Sequence, residues 1–176
     1  LDGYEGKLIS NPTPETVTRY RELEKLHQER RAKLDKLRDL DAVTTDGRAI
    51  TLSANIEFEH ELDLVERSGA QGVGLFRTEF FLLESEECPG EEEQAALYSR
   101  VASRVAPSEV IFRTLDAGGD KVSGEPLSEP EPNPFLGWRG IRFSLDRKDL
   151  FKEQMRAILR AGAAGRVGLM FPLISG

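Results

Sequence analysis

The chain has 176 residues, of which 39% are hydrophobic, and a formal net charge of -7 with an isoelectric point near 5.0. This length is enough for a domain with its own core. The acidic balance and the lack of a basic stripe exclude nucleic acid as the main partner, although a local group of arginines can still bind a small anion. The single cysteine, Cys88, excludes an internal disulfide and fits a cytoplasmic location. The longest apolar stretch, within residues 167–174, is too short to span a membrane.

The N-terminal segment predicts a connector. A turn at Asp2-Gly3 and a short strand around Lys7-Leu8-Ile9 suggest the end of another domain. Thr13-Pro14-Glu15 then combines an N-cap, a proline in the first turn and an acid, which predicts the start of a helix. The helical pattern continues to about Leu40, but its apolar stripe is thin and interrupted. We therefore expect a solvated linker helix within residues 13–45, with a coiled-coil segment as the alternative.

From residue 46 onwards, short apolar strands alternate with helices. This order is typical of β/α units around a parallel sheet and predicts the α/β class. The predicted strands cover residues 50–56, 72–76, 110–112 and 167–171. The predicted helices cover residues 57–68, 91–105 and 149–161, and an irregular stretch runs from 117 to 137.

A short motif occurs at the end of two of these strands. Phe76-Arg77-Thr78 recurs as Phe112-Arg113-Thr114. If the two strands are parallel neighbours, both guanidinium groups reach the same end of the sheet and form a fork that suits a dianion. The alternative is that each arginine pairs with a nearby acid such as Glu79 or Asp116.

The segment after Arg113 adds further candidates for anion binding. In Asp116-Ala117-Gly118-Gly119-Asp120-Lys121, the paired glycines let the backbone approach a ligand, Lys121 supplies a cation, and Asp116 supplies an acceptor or metal ligand. A plain turn is the alternative. Of the two arginines in the next segment, Arg139 lies in the loop and is expected to face the site, while Arg142 is expected to be structural.

The residues that most often carry covalent chemistry show no reactive setting. His27 lies among charged residues of the linker helix, and His60 lies in Glu57-Phe58-Glu59-His60-Glu61. Neither follows a glycine-rich loop that would hold a phosphoacceptor, so both are expected at the surface. Cys88 precedes a proline in an acidic loop, where carboxylates disfavour the thiolate, and it is expected to be inert.

Five motifs follow one another along the chain: Gly72-Val73-Gly74-Leu75-Phe76-Arg77-Thr78-Glu79-Phe80, Glu91-Glu92-Glu93-Gln94, Arg113-Thr114-Leu115-Asp116 with Gly118-Gly119-Asp120-Lys121, Asn133-Pro134-Phe135-Leu136-Gly137-Trp138-Arg139, and Met170-Phe171-Pro172-Leu173-Ile174. This ordered set resembles the Enzyme I family of phosphoenolpyruvate-protein phosphotransferases, which belongs to the sugar phosphotransferase system. The resemblance covers nearly the whole chain. Pyruvate phosphate dikinase and phosphoenolpyruvate synthase, which share the β/α barrel of that family, are the relatives to exclude.

The resemblance implies a fold and a division into domains. Residues 1–12 would end an upstream phosphohistidine domain, residues 13–45 would form the linker helix, and residues 46–176 would form the N-terminal half of a (β/α)8 barrel of the TIM type. A barrel of this type needs about 250 residues, so the sheet here would be unfinished. The missing initiating methionine also favours an excised piece. We therefore expect the chain to self-associate or to be marginally stable.

The resemblance also implies a function and a substrate site. Arg77 and Arg113 would bind the phosphate and carboxylate of phosphoenolpyruvate, with Arg139 as a helper and Asp116 as a further binding residue. The complete enzyme would use Mg²⁺ held by acids of later strands, a cysteine that protonates the enolate carbon, and an upstream histidine that passes the phosphoryl group to a phosphocarrier protein. It would be a cytoplasmic homodimer, and the present chain, lacking catalytic residues, would be inactive alone. A protein-interaction module and a free-standing anion-binding protein remain the alternatives.

Overall fold

The computed structural model describes residues 1–83, 88–118, 133 and 137–174. The chain divides into two compact units, Leu1–Asp41 and Ala42–Gly176, and each is described by itself. Within the described ranges, no helix combines the length and the apolar character needed to cross a membrane.

The first unit contains one helix, α1 (Pro14–Asp35), which has no buried residue. Its start agrees with the prediction, because the Thr13 side chain accepts a hydrogen bond from the backbone N–H of Thr16 at 3.3 Å. The helix ends before the predicted Leu40. Beyond Asp35, tighter bonds replace the α-helical ladder: the N–H of Leu37 donates to the carbonyl of Leu34 at 2.8 Å, and that of Leu40 donates to the carbonyl of Leu37 at 3.1 Å.

The prediction of a short strand around residues 7–9 is wrong. Asp2 and Lys7 instead form an isolated antiparallel bridge that closes a local turn. The carboxylate of Asp2 accepts hydrogen bonds from the backbone N–H of Tyr4 and from the hydroxyl of Tyr20 at 3.0 and 2.9 Å. The sequence offered no partner for a strand at Lys7, and in the structure Lys7 pairs with Asp2 within the first unit.

The second unit contains a four-stranded sheet and its helices. All strands are parallel, in the order β1-β2-β3-β4, which confirms the predicted parallel α/β arrangement. The elements are β1 (Ala54–Ile56), a 3-10 turn (Glu59–Glu61), α2 (Leu62–Ser68), β2 (Val73–Arg77), α3 (Glu79–Leu83), α4 (Glu91–Val105), β3 (Glu109–Arg113), α5 (Ile141–Asp146), α6 (Lys148–Ala161) and β4 (Arg166–Met170).

Two predicted elements near the start of this unit are shorter than expected. Residues 50–53 precede β1 without belonging to it, because Leu52 exchanges hydrogen bonds with both the backbone and the side chain of Gln71. The predicted helix over 57–68 begins as a 3-10 turn. There the carboxylate of Glu61 accepts from the backbone N–H groups of Glu57 and Phe58 at 2.7 and 2.9 Å, which is a capping arrangement.

The core lies between the sheet and the helices α4 and α6. Phe112 is fully buried and its ring contacts those of Phe76 and Tyr98, with centroids 5.4 and 4.7 Å apart. Along β3, Val110 and Phe112 are buried while Ile111 and Arg113 are half-buried. Because side chains alternate between the faces of a strand, Arg113 belongs to the face opposite this aromatic core.

Candidate functional site

Two arginines end neighbouring parallel strands at the same level. Arg77 is the last residue of β2, Arg113 is the last residue of β3, and their Cα atoms are register partners. Phe76 and Phe112, one residue earlier, are also partners. Both arginines were predicted to share one end of the sheet if their strands were parallel neighbours, and β2 and β3 are parallel neighbours. The two side chains therefore start from equivalent positions at the carboxyl end of the sheet.

Arg77 is held by an acid that follows the previous strand. Its Nη1 forms a hydrogen-bonded ion pair with Oε1 of Glu57, which directly follows β1. The Arg77 side chain is 40% exposed and that of Glu57 is 30% exposed. Water therefore reaches this pair, and the attraction between the two charges is weakened accordingly.

The Arg113 side chain is less exposed to solvent than that of Arg77. Its Nε and Nη2 donate to Oε1 of Glu79 at 2.8 and 2.7 Å, and its Nη1 lies 3.3 Å from Oδ2 of Asp116. The side chains of Arg113 and Glu79 are 19% and 9% exposed. Burial raises the pKa of Glu79 above its ordinary value, although the positive charge of Arg113 opposes that shift.

The row of charges continues from Asp116 to Arg139. Oδ1 of Asp116 lies 3.2 Å from both Nε and Nη2 of Arg139, and Nη2 also donates to the backbone carbonyl of Asp116. Gly140 makes this approach possible. It has a φ of +57°, and a β-carbon there would lie 3.3 Å from the Asp116 carboxylate and 3.1 Å from the Leu173 side chain.

The three ion pairs share one arrangement: an acidic residue that follows one strand binds an arginine that ends the next strand or lies before it. Glu57 after β1 holds Arg77, Glu79 after β2 holds Arg113, and Asp116 after β3 holds Arg139. The pairing of Arg113 with Glu79 and Asp116 is the alternative to ligand binding that the sequence predicted. Glu57 was missed, although an acid directly after an apolar strand was the available signal.

Some polar atoms at these strand ends lack partners. Among the described residues, Nε of Arg77, Oε2 of Glu79 and Oγ1 of Thr114 are buried without a hydrogen bond. A buried polar group in this state costs free energy, so its presence in a folded protein calls for an explanation. All three belong to residues at or just after the ends of β2 and β3.

The remaining candidates lie elsewhere or outside the described residues. Lys121 and the second glycine of its loop belong to residues that the structure does not describe, and Arg142 donates from Nη1 to the carbonyl of Gly137 at 3.2 Å. His27 and His60 are exposed, as predicted. The pKa of Cys88 is raised by burial and then by the charge of Glu153, which agrees with the inert thiol expected from the sequence.

A small cavity lies on the helix side of the sheet. It has a volume of about 20 Å³, and Leu82, Cys88, Leu115 and Phe143 are among the residues that line it. This volume holds roughly one water molecule. None of the arginines predicted to bind the ligand lines it, so the cavity is separate from the candidate site.

The fold and the site define a parallel α/β domain with arginines and acids at the carboxyl ends of its strands, which is the edge where β/α barrels place their active sites. A comparison with protein families narrows this class. Residues 31–176 match the model of the PEP-utilising enzyme, PEP-binding domain. The chain therefore belongs to the PEP-utilising enzymes.

Curated relatives match nearly the whole chain. The phosphoenolpyruvate-protein phosphotransferase of Haemophilus influenzae is 42% identical over 174 residues, which are 99% of this chain and 30% of that protein. Proteins of the same name from Staphylococcus aureus and Mycoplasma capricolum are 41% and 42% identical over 175 residues, again 99% of this chain and 31% and 30% of those proteins. The chain thus spans less than a third of the length of these relatives.

Proposed function

We propose that this chain is part of a phosphoenolpyruvate-dependent protein phosphotransferase and that it supplies the arginine side of the substrate site. The register pairing of Arg77 with Arg113 at the carboxyl ends of β2 and β3 is the observation that carries the proposal. Phosphoenolpyruvate carries a phosphate and a carboxylate, and a guanidinium group can bind either of them through two parallel hydrogen bonds. Two arginines at one level therefore match a ligand with two anionic ends.

The contacts support different roles for the two arginines in this proposal. Arg113 binds Glu79 through its Nε and Nη2 edge, so its orientation is fixed before a ligand arrives. Arg77 contacts Glu57 in a half-exposed pair. Exchange of that carboxylate for a ligand oxygen costs less free energy than exchange of a buried one. We propose that Arg77 turns to the ligand and that Arg113 is the fixed anchor.

Arg139 and Asp116 complete the proposed substrate site. Asp116 lies between Arg113 and Arg139 and contacts both, with each carboxylate oxygen facing one of them. This arrangement keeps the two guanidinium groups at a set separation despite their like charges. Arg139 adds positive charge beside Arg113, as a helper in binding the anion.

Further parts of the proposal concern the complete enzyme. We propose that the four parallel strands are the first half of a (β/α)8 barrel, that α1 is a linker to an upstream phosphohistidine domain, and that a phosphocarrier protein receives the phosphoryl group. The half-buried face of β3 that carries Ile111 and Arg113 supports the barrel, since parallel sheets are normally covered on both faces. A cytoplasmic homodimer is part of the same proposal, as is the inactivity of the isolated chain.

Magnesium is proposed for the complete enzyme, but the described residues do not supply what this ion needs. Mg²⁺ requires several oxygen ligands in octahedral geometry. Among the described residues, no group of three or more histidine, cysteine, aspartate or glutamate side chains could hold a metal ion. Both carboxylate oxygens of Asp116 already face arginines. The described residues therefore do not form a site for the ion.

Binding of phosphoenolpyruvate to the chain tests the proposal. Titration in the presence of Mg²⁺ is followed by calorimetry and by NMR spectra of the arginine Nε–H groups at millimolar ligand, which detect weak binding. We expect the resonances of Arg77 and Arg113 to shift. We also expect Arg77→Ala to abolish the response.

Arg100→Ala is the matched control, because Arg100 is an exposed arginine of α4 that pairs with Glu59. It should bind as the unmodified chain does. If phosphoenolpyruvate shifts no arginine resonance, or if Arg77→Ala and Arg100→Ala respond alike, the proposal is wrong.

The association state of the chain is a second test. The outer strands β1 and β4 are the edges of the described sheet, and unpaired edges favour pairing with other chains. We expect sedimentation to show concentration-dependent self-association. A single monomeric species at all concentrations would contradict the unfinished-barrel part of the proposal.

A further inference from the structure

A chain of buried hydrogen bonds lies behind the ends of β2 and β3. Gln154 of α6 donates from its amide nitrogen to Oγ1 of Thr78 at 3.0 Å, and Thr78 donates its hydroxyl to the carbonyl of Arg113 at 2.8 Å. The amide oxygen of Gln154 accepts from the backbone N–H of Leu115 at 3.0 Å. Gln154 is 3% exposed and Thr78 is 0% exposed, so water does not compete for these bonds.

These bonds hold both arginine-bearing strand ends at once. Thr78 directly follows Arg77, and its hydroxyl joins the end of β2 to the carbonyl of Arg113. Leu115 lies just beyond Arg113, and its N–H is bound by the same Gln154 side chain. One residue of α6 thus contacts the chain next to each arginine.

The backbone pairing of β2 with β3 stops at the two arginines. The β2–β3 pairing has an irregular register between Val73 and Phe76 and ends at the Arg77–Arg113 pair. The side-chain bond from Thr78 to Arg113 continues the connection where the ladder stops.

The second copy of the Phe-Arg-Thr motif behaves differently. At Thr114 the backbone N–H donates to the carbonyl of Met170 at 3.0 Å, while the hydroxyl has no partner among the described residues. A threonine hydroxyl therefore serves as the link specifically between the two arginine strands.

We propose that Thr78 and Gln154 are positioning residues that set the relative placement of Arg77 and Arg113 for the anionic ligand. The inference rests on the proposed function and adds residues that do not touch the ligand. They act through the backbone of Arg113 and through the link between the two strands. If these side chains only satisfied each other in the core, their loss would lower stability without a selective effect on affinity.

A pair of substitutions at Thr78 separates these two outcomes. Thr78→Val keeps the shape of the side chain and removes the hydroxyl, whereas Thr78→Ser keeps the hydroxyl. With phosphoenolpyruvate and Mg²⁺, we expect Thr78→Val to raise Kd about tenfold and Thr78→Ser to change it by no more than about twofold. All titrations are done well below the Tm of each variant, so that the folded fraction is the same.

An NMR signal and a core variant complete the experiment. The Nε–H resonance of Arg113 in the ligand-free chain should shift in Thr78→Val and stay in place in Thr78→Ser, because only the first changes how the backbone is held. Val101 is a fully buried residue of α4. Val101→Ala should lower Tm and leave both Kd and the Arg113 resonance unchanged.

The outcomes separate this inference from the proposed function. If the unmodified chain binds and Thr78→Val binds equally well, the positioning role is wrong while the substrate site stands. The same holds if Val101→Ala weakens binding as much as Thr78→Val does. If the unmodified chain does not bind phosphoenolpyruvate at all, the proposed function is wrong, and the inference is overturned with it.

Discussion

Arg77→Ala and Arg113→Ala remove the same side chain from equivalent strand ends, but the carboxylates left behind differ in burial. Loss of Arg113 leaves Glu79, whose side chain is 9% exposed, as an unpaired buried charge. Such a loss costs about 3–5 kcal/mol. Loss of Arg77 leaves Glu57, which is 30% exposed, and breaking a pair of that kind costs roughly 0–1 kcal/mol. We therefore expect Arg113→Ala to be the more destabilising by at least ~2 kcal/mol.

Urea unfolding followed by circular dichroism measures this difference, with the slope of the transition checked for constancy. A second substitution tests its cause. Adding Glu79→Gln to Arg113→Ala removes the stranded charge and should restore part of the lost stability, whereas adding it to Arg77→Ala should not. The cost of Arg113→Ala should also shrink at acid pH, because a buried carboxyl that has lost its cation takes up a proton.

Two results would refute this reasoning. Equal destabilisation by the two arginine variants would mean that the burial of Glu79 does not govern the cost. Absence of any rescue by Glu79→Gln would mean that the lost packing of the Arg113 side chain, and not a stranded charge, explains the effect.

Three further predictions concern folding. Gly165→Ala should destabilise the chain strongly, because the new β-carbon would lie 2.5 Å from the backbone carbonyl of Ala102. Thermal unfolding measures this effect, and an unchanged Tm would contradict the close approach of Gly165 to Ala102. Glu61→Ala should cost about 1 kcal/mol and Glu61→Gln less, since only the second keeps an oxygen for the N–H of Phe58; urea titration compares the two. Because burial raises the pKa of Glu79, the free energy of unfolding should fall as the pH rises above 4.5, the ordinary pKa of a glutamate. The stability advantage of the unmodified chain over Glu79→Gln should therefore shrink as the pH rises above 4.5, and an advantage that does not change with pH would contradict this prediction.

Much of the second unit could be predicted from sequence, because strong local patterns determine it. The helix over 91–105 was predicted with the observed bounds, and α6 and the last three strands were predicted to within about one residue. The short helices α3 and α5 were not predicted. Neither contains enough turns to show a helical period, and their form depends on packing in the cluster that contains Leu82 and Phe143.

The site could be predicted only in part, for a physical reason. Apolar strands that end in arginine indicate which residues share an edge of the sheet, and the observed register agrees with that. The sequence does not show which acid reaches which arginine, because Glu57 and Arg77 are brought together only by the pairing of their strands. The role of Gln154 was missed for the same reason: a glutamine on a helix carries no local sign of the strand ends that it contacts.

The balance of charge at these strand ends limits how a ligand can bind. Every arginine of the candidate site already has a carboxylate partner. An anion therefore either replaces a carboxylate or binds an N–H group that the ion pair leaves open, such as Nε of Arg77. Replacement is least costly at Arg77, where both partners are exposed to solvent, and most costly at Arg113, whose partner Glu79 is only 9% exposed. Under the proposed function, Arg113 would stay rigid and Arg77 would reorient toward the ligand. Because the Thr78 hydroxyl bonds to the carbonyl of Arg113, the backbone next to Arg77 would stay in place while its side chain turns.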